Sequence, residues 1–310
     1  MRRRHLLALA GAAAALPAHA QKVPRIGILF AADPEPAMTL LRQSMTALGY
    51  VEGRTIVYDV RVAGVDGTLG ALAQALADSK PDVIVPVLSP AIAAIRPLTS
   101  TIPIVFSGAA PNIGMMDNVA RPEGNMTGVY SSPGLAGKGL QLFRDFRPGI
   151  KRVGLLLNAS DPFHRPLRQD VEAVARAEKI EPVVVELKSR EELAPAIEAM
   201  AQRGVDAALV QPSLGLQRAA ELSLQHRLPA YSFRREFVDS GGLLSYGADQ
   251  SELHRFVAGQ VDRILKGTKP SDLPAMRSTR VELVVNRKTA RALGIDFPPM
   301  FLARVDEVIE

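Results

Sequence analysis

The sequence predicts an α/β protein built from two similar lobes, and three observations support this class. Short apolar runs alternate with helix-period segments along the chain, which is typical of parallel sheets covered by helices. Residues 25–34 are echoed by residues 152–162, since both read Arg, a β-branched residue, Gly and three apolar residues before a loop and Asp-Pro. The chain has 310 residues, enough for two domains, and no cysteine, so no disulfide supports it.

Four strands separated by helices are predicted in the first half. Apolar runs at 25–30, 82–88 and 102–106 are typical of strands buried on both faces, and 55–62 is rich in β-branched residues. Helices are predicted where apolar residues recur at helical spacing: Met38, Leu41, Met45 and Leu48; Leu69, Leu72, Ala73 and Leu76; and residues 91–98.

The second half repeats this alternation and then adds a tail. Its strands are predicted at 152–157, 182–187, 207–211, 229–233 and 242–246. Its helices are predicted around Leu167, Val171 and Val174, at 191–202 and at 215–226. An amphipathic helix at 251–265, a strand at 281–285, a helix at 287–293 and a half-apolar segment at 301–309 follow.

The first 20 residues have the order of a cleavable secretory signal peptide. Arginines at positions 2–4 precede an apolar run over 6–15, and Ala-His-Ala ends the segment at residue 20. The run is too short for the roughly 20 residues that a membrane span needs. We expect a mature chain that begins at Gln21 and is periplasmic. Loss of the three arginines reduces the net charge from +5 to +2, which gives no support to nucleic-acid binding.

Residues with common catalytic chemistry form no recognisable pattern. The sequence has no Gly-x-Ser-x-Gly elbow, no Walker-type loop and no pair of histidines at metal-ligand spacing. His164, His226 and His254 are expected in surface or capping positions. Tryptophan is absent and only ten Phe and five Tyr occur, which argues against a stacking surface for nucleic acid. We therefore expect a binding protein with no catalytic residue, no metal and no cofactor.

Candidate ligand contacts lie in the loops that follow the predicted strands. In an open parallel sheet, ligands bind at the carboxyl ends of the strands, where helix N-termini offer free N–H groups. These loops are small and polar with a few aromatic residues, which suits a small, polar, amino-acid-like or carboxylated ligand. The candidate contacts are Phe30, Asp33, Ser89, Pro90, Ser107, Tyr130, Asn158, Asp161, Ser213, Phe233 and Tyr246. Helix capping is the competing role for the hydroxyls and carboxylates, and packing in a lobe core is the competing role for the rings.

Four stretches carry a resemblance to a known family. They are residues 102–106; 120–129, which include Arg-Pro-Glu-Gly-Asn-Met-Thr-Gly; 235–247, which include Gly-Gly-Leu-Leu-Ser-Tyr-Gly; and 283–294. In these stretches the chain resembles the substrate-binding proteins of ABC transporters, in particular those for tryptophan and other aromatic amino acids. The family usually carries Asp-Pro-Val-Gly after the fourth strand, whereas residues 108–114 here contain no acid. The Asp of that motif implies a carboxylate that binds the ammonium group of an amino acid. Asp33 and Asp161 are the candidates left for this role.

The resemblance implies a type I periplasmic binding fold, with two doubly wound parallel-sheet lobes of order 2-1-3-4-5 joined by hinge crossings. Chain order then places residues 21–130 and 250–310 in the first lobe and 131–249 in the second. The implied function is that a monomer closes its lobes on a small-molecule ligand and delivers it to an ABC permease in the inner membrane.

Such a fold could also serve three other functions. An extracytoplasmic sensor would present the ligand to a receptor kinase, and the sequence does not separate this role from transport. An enzyme on the same fold would need a nucleophile or a metal site. A transcription regulator would need an N-terminal helix-turn-helix, where this sequence has the apolar leader.

Overall fold

Two separate sheets organise the chain, one of six strands and one of seven. The computed structural model describes residues 22–63, 68–109, 118–122, 124–131 and 134–310. The predicted signal peptide, residues 1–20, lies outside the described residues. Within those residues, none of the helices has the length and apolar character needed to cross a membrane.

Strands and helices alternate from Arg25 onward, as the periodicity predicts. The elements up to residue 130 are β1 (Arg25–Phe30), α1 (Ala37–Ala47), β2 (Val57–Val62), α2 (Leu69–Asp78), β3 (Val83–Val87), α3 (Ser89–Ile95), β4 (Ile104–Ala109) and β5 (Met126–Tyr130). Those from 135 to 248 are α4 (Leu135–Phe146), β6 (Arg152–Asn158), α5 (His164–Ala177), β7 (Glu181–Leu187), α6 (Leu193–Gln202), β8 (Ala207–Val210), α7 (Leu216–Gln225), β9 (Ala230–Ser232), α8 (Glu236–Asp239) and β10 (Leu244–Ala248). The remainder comprises α9 (Gln250–Leu265), β11 (Met276–Arg277), β12 (Val281–Asn286), α10 (Arg287–Leu293), α11 (Pro299–Leu302) and β13 (Glu307–Ile309).

The strand orders match the fold that the resemblance implies. The first sheet runs β2-β1-β3-β4-β5 and is extended by β11, with every pairing parallel. The second sheet runs β7-β6-β8-β9-β10 and is extended by β12 and β13. Both lobes therefore have the order 2-1-3-4-5, and the predicted type I periplasmic binding fold is confirmed.

The assignment of residues 250–310 to the first lobe is wrong for its last 30 residues. Helix α9 and β11 do join the first lobe, but β12 pairs antiparallel with β10, and β13 pairs with β12. The ring of Phe301 packs against Phe146 of α4, with ring centroids 4.9 Å apart. The tail docks on the second lobe because its buried apolar residues complete that lobe's core.

Two of the crossings between the lobes are fastened to each other. Residue 249 leads from β10 into α9, and residues 278–280 lead from β11 into β12. The backbone N–H of Asp249 donates to the carbonyl oxygen of Arg280 at 2.9 Å. The Glu252 carboxylate accepts from the N–H groups of Thr279 and Arg280 at 3.1 and 3.0 Å. These bonds hold the two crossings, at residue 249 and at residues 278–280, side by side.

The main core of the first lobe lies between the sheet and the helices α1 and α9. Val85 and Val105 point from the sheet to this face, and Leu253 and Val257 of α9 meet them there. Gln260, late in α9, donates to Thr127 near the start of β5 at 3.4 Å, so the first turn of α9 lies toward the carboxyl edge of the first sheet. Both sheets thus present their strand ends to one another across a cleft.

Candidate ligand-binding cleft

The two lobes touch across the cleft at two described places. Arg190, between β7 and α6, donates from Nη2 to the carbonyl oxygen of Ala31 after β1, at 2.9 Å. Arg234, after β9, lies against Gly108 in β4, where the position that a Cβ would take is 3.5 Å from Nη1. These contacts bring strand-end loops of one lobe within reach of those of the other.

A cavity of about 280 Å³ lies between the loop after β1 and the loops after β8 and β9. It is lined by Ala32, Asp33, Pro34, Glu35, Leu88, Pro212, Leu216, Gln217, Arg234, Glu236 and Ser240. Asp33 is exposed and lines this cavity. The cavity therefore has carboxylates on the first-lobe side and an arginine with a carboxylate on the second-lobe side.

Arg234 is the charged group best placed for a ligand in this cavity. Its side chain is only 9% exposed, and Nη2 and Nε donate to the two carboxylate oxygens of Glu236 at 2.6 and 3.3 Å. Glu236 thereby holds one edge of the guanidinium, and Nη1 faces Gly108 of the first lobe. A planar guanidinium held in this way can donate further hydrogen bonds to a carboxylate with defined geometry.

A second cavity, of about 600 Å³, lies on the other side of the loop after β1. Its lining includes three of the candidate contacts, Pro90, Asn158 and Ser213. Lys188, Ser189 and Arg190 after β7 close its second-lobe side. The two cavities lie along one cleft, because residues 31 and 32 line one each.

Asp161 belongs to the internal structure of the second lobe. Its Oδ2 accepts from Ser213 Oγ at 2.6 Å and from Gln211 Nε2 at 2.8 Å, and its Oδ1 accepts from the Phe163 N–H at 2.9 Å. Burial raises the pKa of Asp161, and these hydrogen bonds act in the opposite direction. Its carboxylate thus joins the loop after β6, which carries Asp161 itself, to the loop after β8, which carries Ser213. Asp161 lines neither of the two cavities described here.

The aromatic candidates do not form a common slot in the structure. Phe30 is 2% exposed and packs in the first lobe's main core, which is the competing role for this ring. Phe233 and Tyr246 are half-buried against the second lobe's core, and Phe233 meets Phe163 edge to face at 6.0 Å. Tyr130 is half-buried against the other core of the first lobe. The alternation of side chains along a strand explains the burial of Phe30, since its ring lies on the same face of β1 as Ile26 and Ile28.

The hydroxyl candidates of the first lobe lie at the carboxyl edge but differ in surroundings. Ser89 is buried in the first position of α3. Ser107 is fully buried in β4, and its Oγ has no hydrogen-bond partner among the described residues. The loop that follows it, residues 110–117, lies outside the described residues and includes most of the segment that lacks the family's acid.

Both arginines that reach across the cleft were missed from the sequence. Arg190 and Arg234 were not selected because the sequence contains many arginines, and their burial follows only from the meeting of the lobes. The expectation that His254 is a surface or capping residue is wrong, since it is 2% exposed. It lies one turn after Gln250 on the core-facing side of α9, which its position four residues before Ala258 could have indicated.

Two α/β lobes of order 2-1-3-4-5, facing each other across a polar cleft, define the class of type I binding proteins. Residues 37–309 match the family described as ABC transporter substrate binding protein. The chain belongs to that family.

Individual relatives are distant in sequence. A tyrosine-binding protein of Clostridioides difficile (strain R20291) is 23% identical over 255 residues, covering 80% of this chain and 73% of that protein. A conserved domain protein from Vibrio cholerae O1 biovar El Tor is 23% identical with a TM-score of 0.83, covering 93% of this chain and 100% of that one. An ABC domain from Streptococcus pneumonia in complex with L-Trp is 24% identical with a TM-score of 0.82, covering 92% and 99%. The solved structures share the fold of this chain.

Proposed function

We propose that this protein is the extracytoplasmic solute-binding component of an ABC importer, and that its cleft closes on an amino acid, with an aromatic amino acid as the first candidate. Family membership supports the transport role. The predicted signal peptide supports export to the periplasm. The partner is then a permease of the inner membrane, which the closed monomer meets transiently.

The guanidinium of Arg234 carries this proposal. It is nearly buried, it is oriented by Glu236, and it faces the opposite lobe at Gly108. A buried arginine of this kind is suited to the carboxylate of a small ligand, because the charge-assisted hydrogen bonds form away from bulk water. Since the ligand would contact Arg234 and the first lobe together, binding would favour the closed arrangement.

The relatives narrow the choice of amino acid. One is named a tyrosine-binding protein, and one solved neighbour holds L-Trp. The chain itself contains no tryptophan, so the fluorescence of added L-Trp can be read without background from the protein. L-Tyrosine, L-tryptophan and L-phenylalanine are therefore the first probes.

The test is titration calorimetry of the mature protein with the 20 amino acids, repeated with Arg234→Gln. Loss of one partner from a hydrogen-bonded charge pair costs about 2–5 kcal/mol, so affinity should fall at least about 30-fold. Arg235→Gln is the matched control, because Arg235 pairs with Glu307 at 2.6 Å and lines neither cavity. That variant should bind as the wild type does.

Because Arg234→Gln leaves Glu236 buried without its partner, the double variant Arg234→Gln/Glu236→Gln is included to keep the fold intact. Binding of no amino acid by the wild-type protein would contradict the proposal. So would full affinity in a folded Arg234→Gln variant.

A further inference from the structure

The larger cavity of the cleft carries positive charge that the function proposed above does not use. Its volume of about 600 Å³ lies within the range of roughly 300–1,000 Å³ that is typical of small-molecule sites. Lys188 and Arg190 of the second lobe line it, and no aspartate or glutamate is among the described residues of its wall. The rest of its polar lining consists of three hydroxyls and one amide, those of Ser160, Ser189, Ser213 and Asn158.

Both cations are available to an anion in this cavity. Lys188 is exposed and forms no ion pair with the part of the chain that the structure describes. Arg190 donates from Nη2 to a neutral acceptor, the carbonyl oxygen of Ala31. The neighbouring acids lie outside the cavity wall: Glu192 accepts from the backbone N–H of Lys188 at 2.9 Å, and Glu191 has its pKa lowered by a hydrogen bond with Ser189 and by the charge of Arg190.

The opposite wall of the cavity is apolar. The first lobe contributes Ala31, Ala63, Leu69, Pro90 and Ala93. An apolar group would lose its contact with water against this wall, and an anionic group at its end would face the two cations of the second lobe. A ligand that contacts both walls would favour the closed arrangement of the lobes.

The two cavities are close enough for one ligand to reach into both. Ala32 lines the smaller cavity and Ala31 the larger, and on the second lobe Pro212 lines the smaller and Ser213 the larger. Arg234 belongs to the smaller cavity. The cleft therefore offers a cationic group in each of two neighbouring cavities, which suits a ligand with an acidic group at each end.

We propose that the larger cavity is a subsite for a second acidic group. The cleft would then select an amino acid whose carboxylate is bound by Arg234 and whose apolar side chain ends in an anionic group near Lys188 and Arg190. The proposal rests on the function proposed above and adds selection by the charge at the end of the side chain. Aromatic amino acids without this group bind in the same cleft, but more weakly.

The test is a series of ligands that differ only in the charge at the end of one side chain. The probes are 4-carboxy-, 4-carbamoyl- and 4-aminomethyl-L-phenylalanine, whose ring substituents are similar in size and are negative, neutral and positive. Titration calorimetry of the mature protein should show the carboxy compound bound at least about fivefold more tightly than the carbamoyl compound, because two partly solvated cations act on it. The aminomethyl compound should bind at least about threefold more weakly than the carbamoyl compound.

Substitution of Lys188 tests whether the lining of the cavity causes this preference. Lys188→Glu should reduce the carboxy-to-carbamoyl preference to less than about twofold, and Lys188→Gln should give an intermediate value. Lys288→Glu is the matched control, because Lys288 is exposed in the first turn of α10 and lines neither cavity, while the net charge changes by the same amount. That variant should keep the wild-type preference. Since each preference compares two ligands on the same variant, a partial loss of folding does not change it.

The outcomes separate the two proposals. Equal affinity of the wild-type protein for the carboxy and carbamoyl compounds, or an unchanged preference in Lys188→Glu, overturns the acidic subsite and leaves the transport function standing. Binding of L-phenylalanine or L-tryptophan but of none of the three derivatives does the same. A wild-type protein that binds no amino acid overturns both proposals.

Discussion

Removal of the Arg190 side chain should shorten the lifetime of the ligand-bound state. Its hydrogen bond to the Ala31 carbonyl, 2.9 Å long, is one of the described bonds that join the lobes across the cleft. A hydrogen bond from a charged donor contributes about 1.5–3 kcal/mol when it is buried. Arg190 is half-exposed, so solvent screening reduces this to about 1 kcal/mol, or roughly a fivefold change in affinity.

The change should appear in the dissociation rate. An open protein has not yet formed this bond, so Arg190→Ala should leave the association rate of L-tryptophan unchanged and raise its dissociation rate roughly fivefold. Stopped-flow fluorescence of L-tryptophan gives both rates, because the protein has no tryptophan of its own. Arg203→Ala is the matched control, since Arg203 is exposed at the opposite end of α6. An unchanged dissociation rate in Arg190→Ala would refute the reasoning.

Three further predictions concern the hinge and α9. In Gly247→Ala, the Cβ would lie 1.9 Å from the carbonyl oxygen of Phe233, so urea denaturation should show a free energy of unfolding lower by more than about 2 kcal/mol. Gly259→Ala is the control, because open space surrounds this position of α9, and its free energy of unfolding should rise by about 0.5–1 kcal/mol. Equal stabilities of the two variants would contradict this. Glu252→Ala should speed hydrogen exchange of the Thr279 and Arg280 amides roughly tenfold, because both donate to its carboxylate, and unchanged exchange would count against the carboxylate as their anchor. The pKa of His254 is lowered to about 4, so as the pH falls below about 6.5 this residue binds a proton in the unfolded chain and stays neutral in the folded protein. The free energy of unfolding should therefore fall by about 2 kcal/mol by pH 5. His254→Leu should remove this contribution to the pH dependence, and an unchanged pH dependence would contradict it.

Most strands and helices were predictable because they follow from local patterns, whereas the strand order was expected only from the family resemblance. The apolar run at 25–30 is β1 as predicted, and residues 281–285 and 287–293 fall within β12 and α10. Helix α4 was missed because Gly137 and Gly139 interrupt its apolar pattern. The structure explains Gly139, since a Cβ there would lie 2.7 Å from the ring of Tyr231.

The site was less predictable because it depends on contacts between distant segments. Asp33, Asn158 and Ser213 were found at the cleft because parallel strands end at a common edge. Arg234 gains its importance from Glu236 and from a glycine of the other lobe, which no spacing rule reveals. The docking of the tail on the second lobe has the same origin, since the pairing of β12 with β10 spans some 40 residues of sequence.

A crystal structure of the mature protein with L-tyrosine or L-tryptophan tests the central claim most directly. We expect the ligand in the cleft, with its carboxylate within hydrogen-bond distance of Arg234 Nη1 beside Gly108. A carboxylate bound by other residues, with Arg234 contacting only Glu236, would contradict the account of how this cleft recognises its ligand.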